Sequence, residues 1–216
     1  MKPDITKIEM TTILVTGFGP YPGAPYNPTG PLVFALAQYA RARGVARIVP
    51  HVFETSYTAV DRDLPKLLRA YKPDAVLMFG LAPRSRHIRI ETRARNTVAM
   101  TPDVLRARHR RAIASDKPFT LPLPVPAARL AATLRQLPVP VRLSHDAGRY
   151  LCNYIAWRAA EAAATASGPR LAAFVHVPLV HRDPAPKSRR NRLTRARLER
   201  AGKALLAEIV AAAGRH

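Results

Sequence analysis

Three short apolar runs, at 13–17, 46–53 and 75–79, alternate with two stretches, 31–43 and 60–71, whose apolar residues recur at helical spacing. Strand, helix, strand, helix, strand leaves few arrangements open. Each helix is long enough to carry the chain back so that successive strands run parallel, and such crossovers cover the sheet with helices. The alternation therefore predicts an α/β fold built on a mostly parallel sheet. Ligands of such sheets collect at the carboxyl ends of the strands.

The rest of the chain continues the theme. Residues 86–92 alternate polar and apolar side chains as a half-exposed strand does, 119–122 and 139–143 read as short strands, and 171–177 reads as a buried one. Helices are expected over 127–136, over 154–166 and in the tail, where Leu198, Leu205, Leu206 and Ile209 supply an apolar stripe. With 216 residues, 48 % of them hydrophobic, the chain can build one sizeable core and is short for two, so one domain is expected over 1–216. The basic, irregular stretch 97–118, with Arg106, Arg108, Arg110 and Arg111, reads as a mobile or lid segment. The glycines at 17 and 19 lack a third partner, and prolines crowd the turn, so a dinucleotide fingerprint is rejected.

A formal net charge of +21 invites a nucleic-acid reading. The cations are mostly arginine in an alanine- and proline-rich chain, a skew that a GC-rich genome produces by itself. No zinc-finger spacing, helix-turn-helix or aromatic RNA motif accompanies them, so nucleic acid is not an expected partner. One cysteine excludes an internal disulfide framework, and no Cys/His spacing suits zinc; no metal or cofactor is expected. The first twelve residues lack the apolar core of a signal peptide, and no run approaches bilayer length. A cytoplasmic protein without membrane contact is the expectation.

That single cysteine, Cys152, stands where a Gly-bearing turn at 144–150 gives way to a helix. The first turn of a helix presents unpaired backbone N–H groups and the positive end of the helix dipole, a setting suited to a nucleophilic sulfur. The competing reading is a small buried hydrophobe. Thiol catalysis needs an imidazole to exchange protons and a third polar group to orient it. His176 lies near the end of the next strand and Glu91 at the end of an earlier one, so the three can meet at one rim of the sheet. By themselves, His176 also reads as a core histidine and Glu91 as a surface carboxylate among arginines.

Four segments then resemble one family. Val15-Thr16-Gly17-Phe18-Gly19-Pro20-Tyr21 with Asn27-Pro28, Glu91 with Asn96, Ala147-Gly148 through Tyr150-Leu151-Cys152-Asn153, and Phe174-Val175-His176-Val177-Pro178 are similar to the motifs of the pyroglutamyl peptidases. These are cysteine peptidases with an α/β/α sandwich fold. The resemblance implies a single three-layer domain that removes an N-terminal pyroglutamyl group from peptides through a thioester. Carried over by position, Cys152 is the nucleophile, His176 the base and then acid, and Glu91 its orienting group. Phe18, Tyr21 and Tyr150 would sandwich the lactam ring, with Asn27, Leu81 and Leu151 beside it. The family often forms homo-oligomers, which leaves a homo-oligomer open here.

Departures from the family pattern bear on substrate. Gly80-Leu81-Ala82-Pro83-Arg84-Ser85-Arg86 replaces the family's Gly-Gln-Ala-Gly-Gly-Arg, placing Leu81 where a ligand-binding glutamine is expected. Thr92 stands in place of the arginine after the catalytic glutamate, and the loop after Asn96 is shorter and basic. Two alternatives stay open: the same fold and triad acting on another blocked or cyclic amide, and a non-enzymatic basic binding protein on this scaffold, contacting RNA through Arg189, Arg190, Arg192 and Arg195.

Overall fold

Strand β1 (Thr12–Phe18), almost wholly buried, is extended by β2 (Arg47–Phe53) on one side and β3 (Ala75–Leu81) on the other, all three parallel. The computed structural model describes residues 10–99, 112–180 and 193–215. Helix α1 (Thr29–Arg43) links β1 to β2 and ends at Gly44, whose left-handed φ of 61° lets the chain turn back into the strand. Helix α2 (Tyr57–Tyr71) links β2 to β3 and starts where the Ser56 hydroxyl accepts from the Ala59 N–H. This is the βαβαβ unit that the sequence predicts.

Beyond it, β4 (Ile88–Glu91), β5 (Arg93–Arg95), β6 (Thr120–Pro122), α3 (Ala127–Arg135), β7 (Val141–Ser144), α4 (Leu151–Ala163), β8 (Leu171–Val177) and α5 (Arg195–Ala213) complete the described elements. The main sheet has the order β2-β1-β3-β8-β4-β7, with β8 parallel to β3 but antiparallel to β4. β5 and β6 pair separately as a small antiparallel ribbon.

Side-chain alternation divides the core in two. Ile13, Val15, Leu77, Phe79, Ala173 and Val175 face α1, α3 and α5, whereas Leu14, Phe18, Val76, Met78, Ala172 and Phe174 face α2 and α4. Helices thus cover both faces, giving a three-layer α/β/α sandwich. Leu198, Leu205, Leu206 and Ile209 of α5 are all buried against the first face.

Of the stretch 97–118, residues 100–111 lie outside the described residues, as do Arg189, Arg190 and Arg192. On its described flanks the stretch is tied down: Asn96 exchanges two hydrogen bonds with the backbone of Ala114 and donates a third to the Lys117 carbonyl.

Candidate active site

Glu91 reaches the site by a route other than a shared parallel rim. β4 runs against β8, with Arg89 opposite His176 and Glu91 opposite Phe174. Residues two apart on a strand share a face, so Arg89, Glu91, Phe174 and His176 all project to the α2/α4 side. Glu91 then meets His176 diagonally: its Oε1 lies 2.8 Å from His176 Nδ1. A carboxylate can only accept, so Nδ1 carries the proton and Nε2 is left for the sulfur.

Both groups are nearly sealed, Glu91 at 0 % and His176 at 3 % exposure. Burial alone pushes the imidazole toward neutrality. The electrostatic influence of Cys152 and its hydrogen bond to the ring, together with the Glu91 carboxylate, outweigh it and raise the His176 pKa to about 9. Burial likewise opposes the Glu91 charge, but the bond to His176, the Ser144 hydroxyl and the Arg89 guanidinium hold its pKa below the ordinary value. Tyr21 responds to the same sulfur: burial first, and then the charge of Cys152, push its phenol up.

Cys152 is the second residue of α4, half-buried. No side chain caps the start of that helix, so its first N–H groups are left without a side-chain acceptor. The preceding turn needs Gly148, whose φ of 86° is left-handed and whose N–H donates to Asp146 Oδ1. Residues after Glu91 hold this turn in place. The Thr92 hydroxyl donates to the Ser144 carbonyl, Arg93 to the His145 carbonyl, and Arg95 pairs with Asp146 at 3.3 Å. From within α4, the buried Asn153 amide brackets Arg95, accepting from its N–H and donating to the Arg95 and Thr97 carbonyls.

The sulfur lies over the sheet because β3 has no side chain beneath it. A methyl at Gly80 would lie 2.8 Å from Cys152 Sγ and 2.6 Å from Phe174 Cζ. Gly80 is opposite His176 in the ladder, so the cavity left by its missing side chain brings thiol and imidazole together.

Cys152 and His176 open into a cavity of about 270 Å³. Phe18, Tyr21, Asn27, Leu81, Tyr150 and Leu151, the expected substrate-binding residues, all line it, while Glu91 supports the imidazole from behind. Asn27 fixes the Tyr21 loop: its Nδ2 donates to the Gly19 carbonyl and its Oδ1 accepts from the N–H and hydroxyl of Thr29. The Tyr150 ring packs edge-on against Tyr57 at 5.3 Å. Sequence reasoning missed Gly80, Arg89, Ala147 and Arg149. Arg89 was visible in principle, two residues before Glu91 on a strand and hence on the same face.

A thiol, a buried imidazole and a carboxylate at a cavity on an α/β/α sandwich are the groups that thiol-dependent acyl transfer needs, the chemistry of the cysteine peptidases among other enzymes. The narrower assignment comes from comparison. A family model described as pyroglutamyl peptidase matches residues 11–214, so the chain belongs to that family. It is 31 % identical over 173 residues to the pyrrolidone-carboxylate peptidase of Thermococcus litoralis, covering 78 % of this chain and 77 % of that one. It is 30 % identical over 177 residues to that of Pyrococcus furiosus, covering 78 % and 81 %. The crystal structure of pyrrolidone carboxyl peptidase from P. furiosus superposes with a TM-score of 0.80 at 25 % identity, over 94 % of this chain and all of that one. No helix among the described residues is long and apolar enough to cross a membrane.

Proposed function

We propose that the chain hydrolyses the amide bond after an N-terminal pyroglutamyl group, with Cys152, His176 and Glu91 as its triad. The observation that carries this reading is the Glu91–His176 hydrogen bond, which leaves the far ring nitrogen to Cys152 inside a cavity walled by aromatic rings. The Cys152 thiolate attacks the pyroglutamyl carbonyl carbon, and the electron pair moves to oxygen. Backbone N–H groups at the start of α4 stabilise that oxyanion, each such donor being worth about 3 kcal/mol in the barrier. The oxyanion collapses to a thioester as the amine leaves with the proton from His176 Nε2. His176 then takes a proton from water, hydroxide displaces the sulfur, and free pyroglutamate and the thiolate result. Glu91 keeps the imidazole in the one tautomer that can do both.

Phe18, Tyr21 and Tyr150 offer flat faces to the lactam, and Asn27, Leu81 and Leu151 complete the slot. A neutral ring with one N–H and one C=O suits such a wall. Leu81 offers no hydrogen bond, which favours a second reading: another blocked or cyclic amide as substrate. Hydrolysis of a pyroglutamyl-amide reporter, compared with acetylalanyl and prolyl amides before and after thiol alkylation, separates the two. Alkylation-sensitive turnover of the pyroglutamyl reporter at least about ten-fold above the others is expected; thiol-dependent turnover of another amide in preference supports the second reading, and no turnover of any of them overturns the first.

Gly80→Ala tests the seat of the sulfur. The added methyl has to displace Cys152 or Phe174, so we expect reporter turnover to fall more than about ten-fold and stability to Cm-based urea unfolding to drop by about 1–3 kcal/mol. Full activity with an unchanged midpoint would show that the sulfur does not depend on that space.

A further inference from the structure

Arg89 is poorly used where it stands. Its Nε lies 3.3 Å from Glu91 Oε1 without making a hydrogen bond, and is buried. Its Nη2 lies 3.1 Å from His176 Nδ1, a nitrogen already donating to Glu91, so two donors face each other. The remaining contact of Nη2, to the Asp146 carbonyl, is long at 3.5 Å. Arg149, exposed at the cavity mouth, has no ion pair among the described residues. No carboxylate is among the cavity's described lining residues, and nearby Asp146 is engaged by Arg95 and the Gly148 N–H.

The position of the two guanidinium groups decides what they meet. The leaving amine must end beside His176, its proton donor, so the wall formed by His176, Arg89 and the 146–149 turn faces the residue after the scissile bond. The aromatic slot of Phe18 and Tyr21 is left for the acyl group. We propose that Arg89 and Arg149 bind a carboxylate of the leaving-group residue, so that this enzyme prefers pyroglutamyl peptides whose next residue is acidic or carries the free C-terminus. The proposal rests on the peptidase reading above. It gives Arg89 a closer acceptor than the Asp146 carbonyl and draws it away from the ring nitrogen.

The test compares kcat/KM for pyroglutamyl-Glu-amide, -Ala-amide and -Lys-amide, and for pyroglutamyl-Ala as the free acid, in the wild type, R149Q, R89Q and R89K. Ratios within each enzyme are read, because Arg89 also touches the triad. With each charge-assisted hydrogen bond worth about ten-fold, the wild type should favour Glu over Lys by about a hundred-fold. R149Q and R89Q should each cut that ratio by about ten-fold, and R89K should retain more of it than R89Q. A gain for Glu over Ala amide assigns the carboxylate to the side chain, and a gain for the free acid over Ala amide assigns it to the C-terminus. Absence of both gains, or a ratio untouched in R89Q and R149Q, overturns the proposal. Should R89Q fail to fold, R149Q decides alone. Calorimetric binding of the Glu and Lys amides to C152A reads the same preference without turnover. If no peptide is hydrolysed, the peptidase reading fails, while a Glu preference in binding would still support the arginine pair.

Discussion

Replacing Cys152 with alanine is expected to reduce hydrolysis of a pyroglutamyl-amide reporter by about ten-thousand-fold or more, to the level of the buffer, because no other group in the cavity can form the thioester. Thermal stability should barely move. Cys152 is half-buried at the open end of the helix, and the sulfur already sits tightly in the space over Gly80, so trimming it leaves a small defect rather than a sealed cavity. The variant should also show its loss in a second signal. The electrostatic influence of Cys152 is the first of those that raise His176, so the ring's midpoint, followed by NMR, should fall in C152A. Residual thiol-independent turnover, or an unmoved His176 midpoint, would mean that sulfur and imidazole do not act as a pair.

The scaffold was legible because its signals are local. Apolar runs such as 13–17 and 75–79 can only be buried on both faces, and the helical spacing between them fixes the crossovers. Strand 88–91 shows where local reading stops. Its alternation of Arg89 and Glu91 with Ile88 and Ile90 reads as one face in water and one in the core, yet Ile88 and Ile90 pack into one core layer while Glu91 is wholly buried on the other side. The polar face is the inner face of a site. Periodicity cannot distinguish the two, since it records contrast between neighbours and not which side meets water. Direction was hidden for a related reason: nothing within a four-residue strand states whether its partner runs with or against it. The antiparallel pairing of β4 with β8 is what sets Glu91 diagonal to His176. Gly80 escaped notice because a glycine at the end of an apolar run usually marks a turn, and only the position of Cys152 reveals that the missing side chain is space for a sulfur. The three candidate positions, Cys152, His176 and Glu91, were read from a helix start and two strand ends, and it was the resemblance of motif, which carries long-range information that spacing lacks, that gave each of them a role.

Removing the Glu91 carboxylate should damage turnover nearly as much as removing the thiol, and for a reason specific to this site. In Glu91→Ala the polar neighbour left at His176 Nδ1 among the described residues is Arg89 Nη2, at 3.1 Å. A guanidinium can only donate, so it draws the lone pair to Nδ1 and places the ring proton on Nε2, facing the sulfur in the tautomer that cannot accept a proton. A loss of about 10³–10⁴-fold in kcat is expected, the scale found when a triad's orienting carboxylate is removed. KM should change little, because Glu91 does not line the cavity. Glu91→Gln should lose less, since an amide oxygen can still accept from Nδ1. The pH profile supplies the sign. His176 binds its proton more tightly in the folded chain, with a pKa near 9, so the paired imidazolium stabilises the fold fully below the ordinary value of 6.5, and that contribution is lost as pH rises from 6.5 through about 9. Glu91, held below its ordinary 4.5, contributes above that value and loses its contribution as pH falls through its lowered pKa. Wild-type activity should therefore decline above about pH 9 as the imidazolium is lost. Without the Glu91 charge that decline should begin at lower pH, in Ala and Gln variants alike. An alkaline limb that stays in place would separate Glu91 from the imidazole electrostatically and leave it a packing residue. Partial recovery of kcat on adding Arg89→Ala to Glu91→Ala would identify the guanidinium as the group that imposes the wrong tautomer.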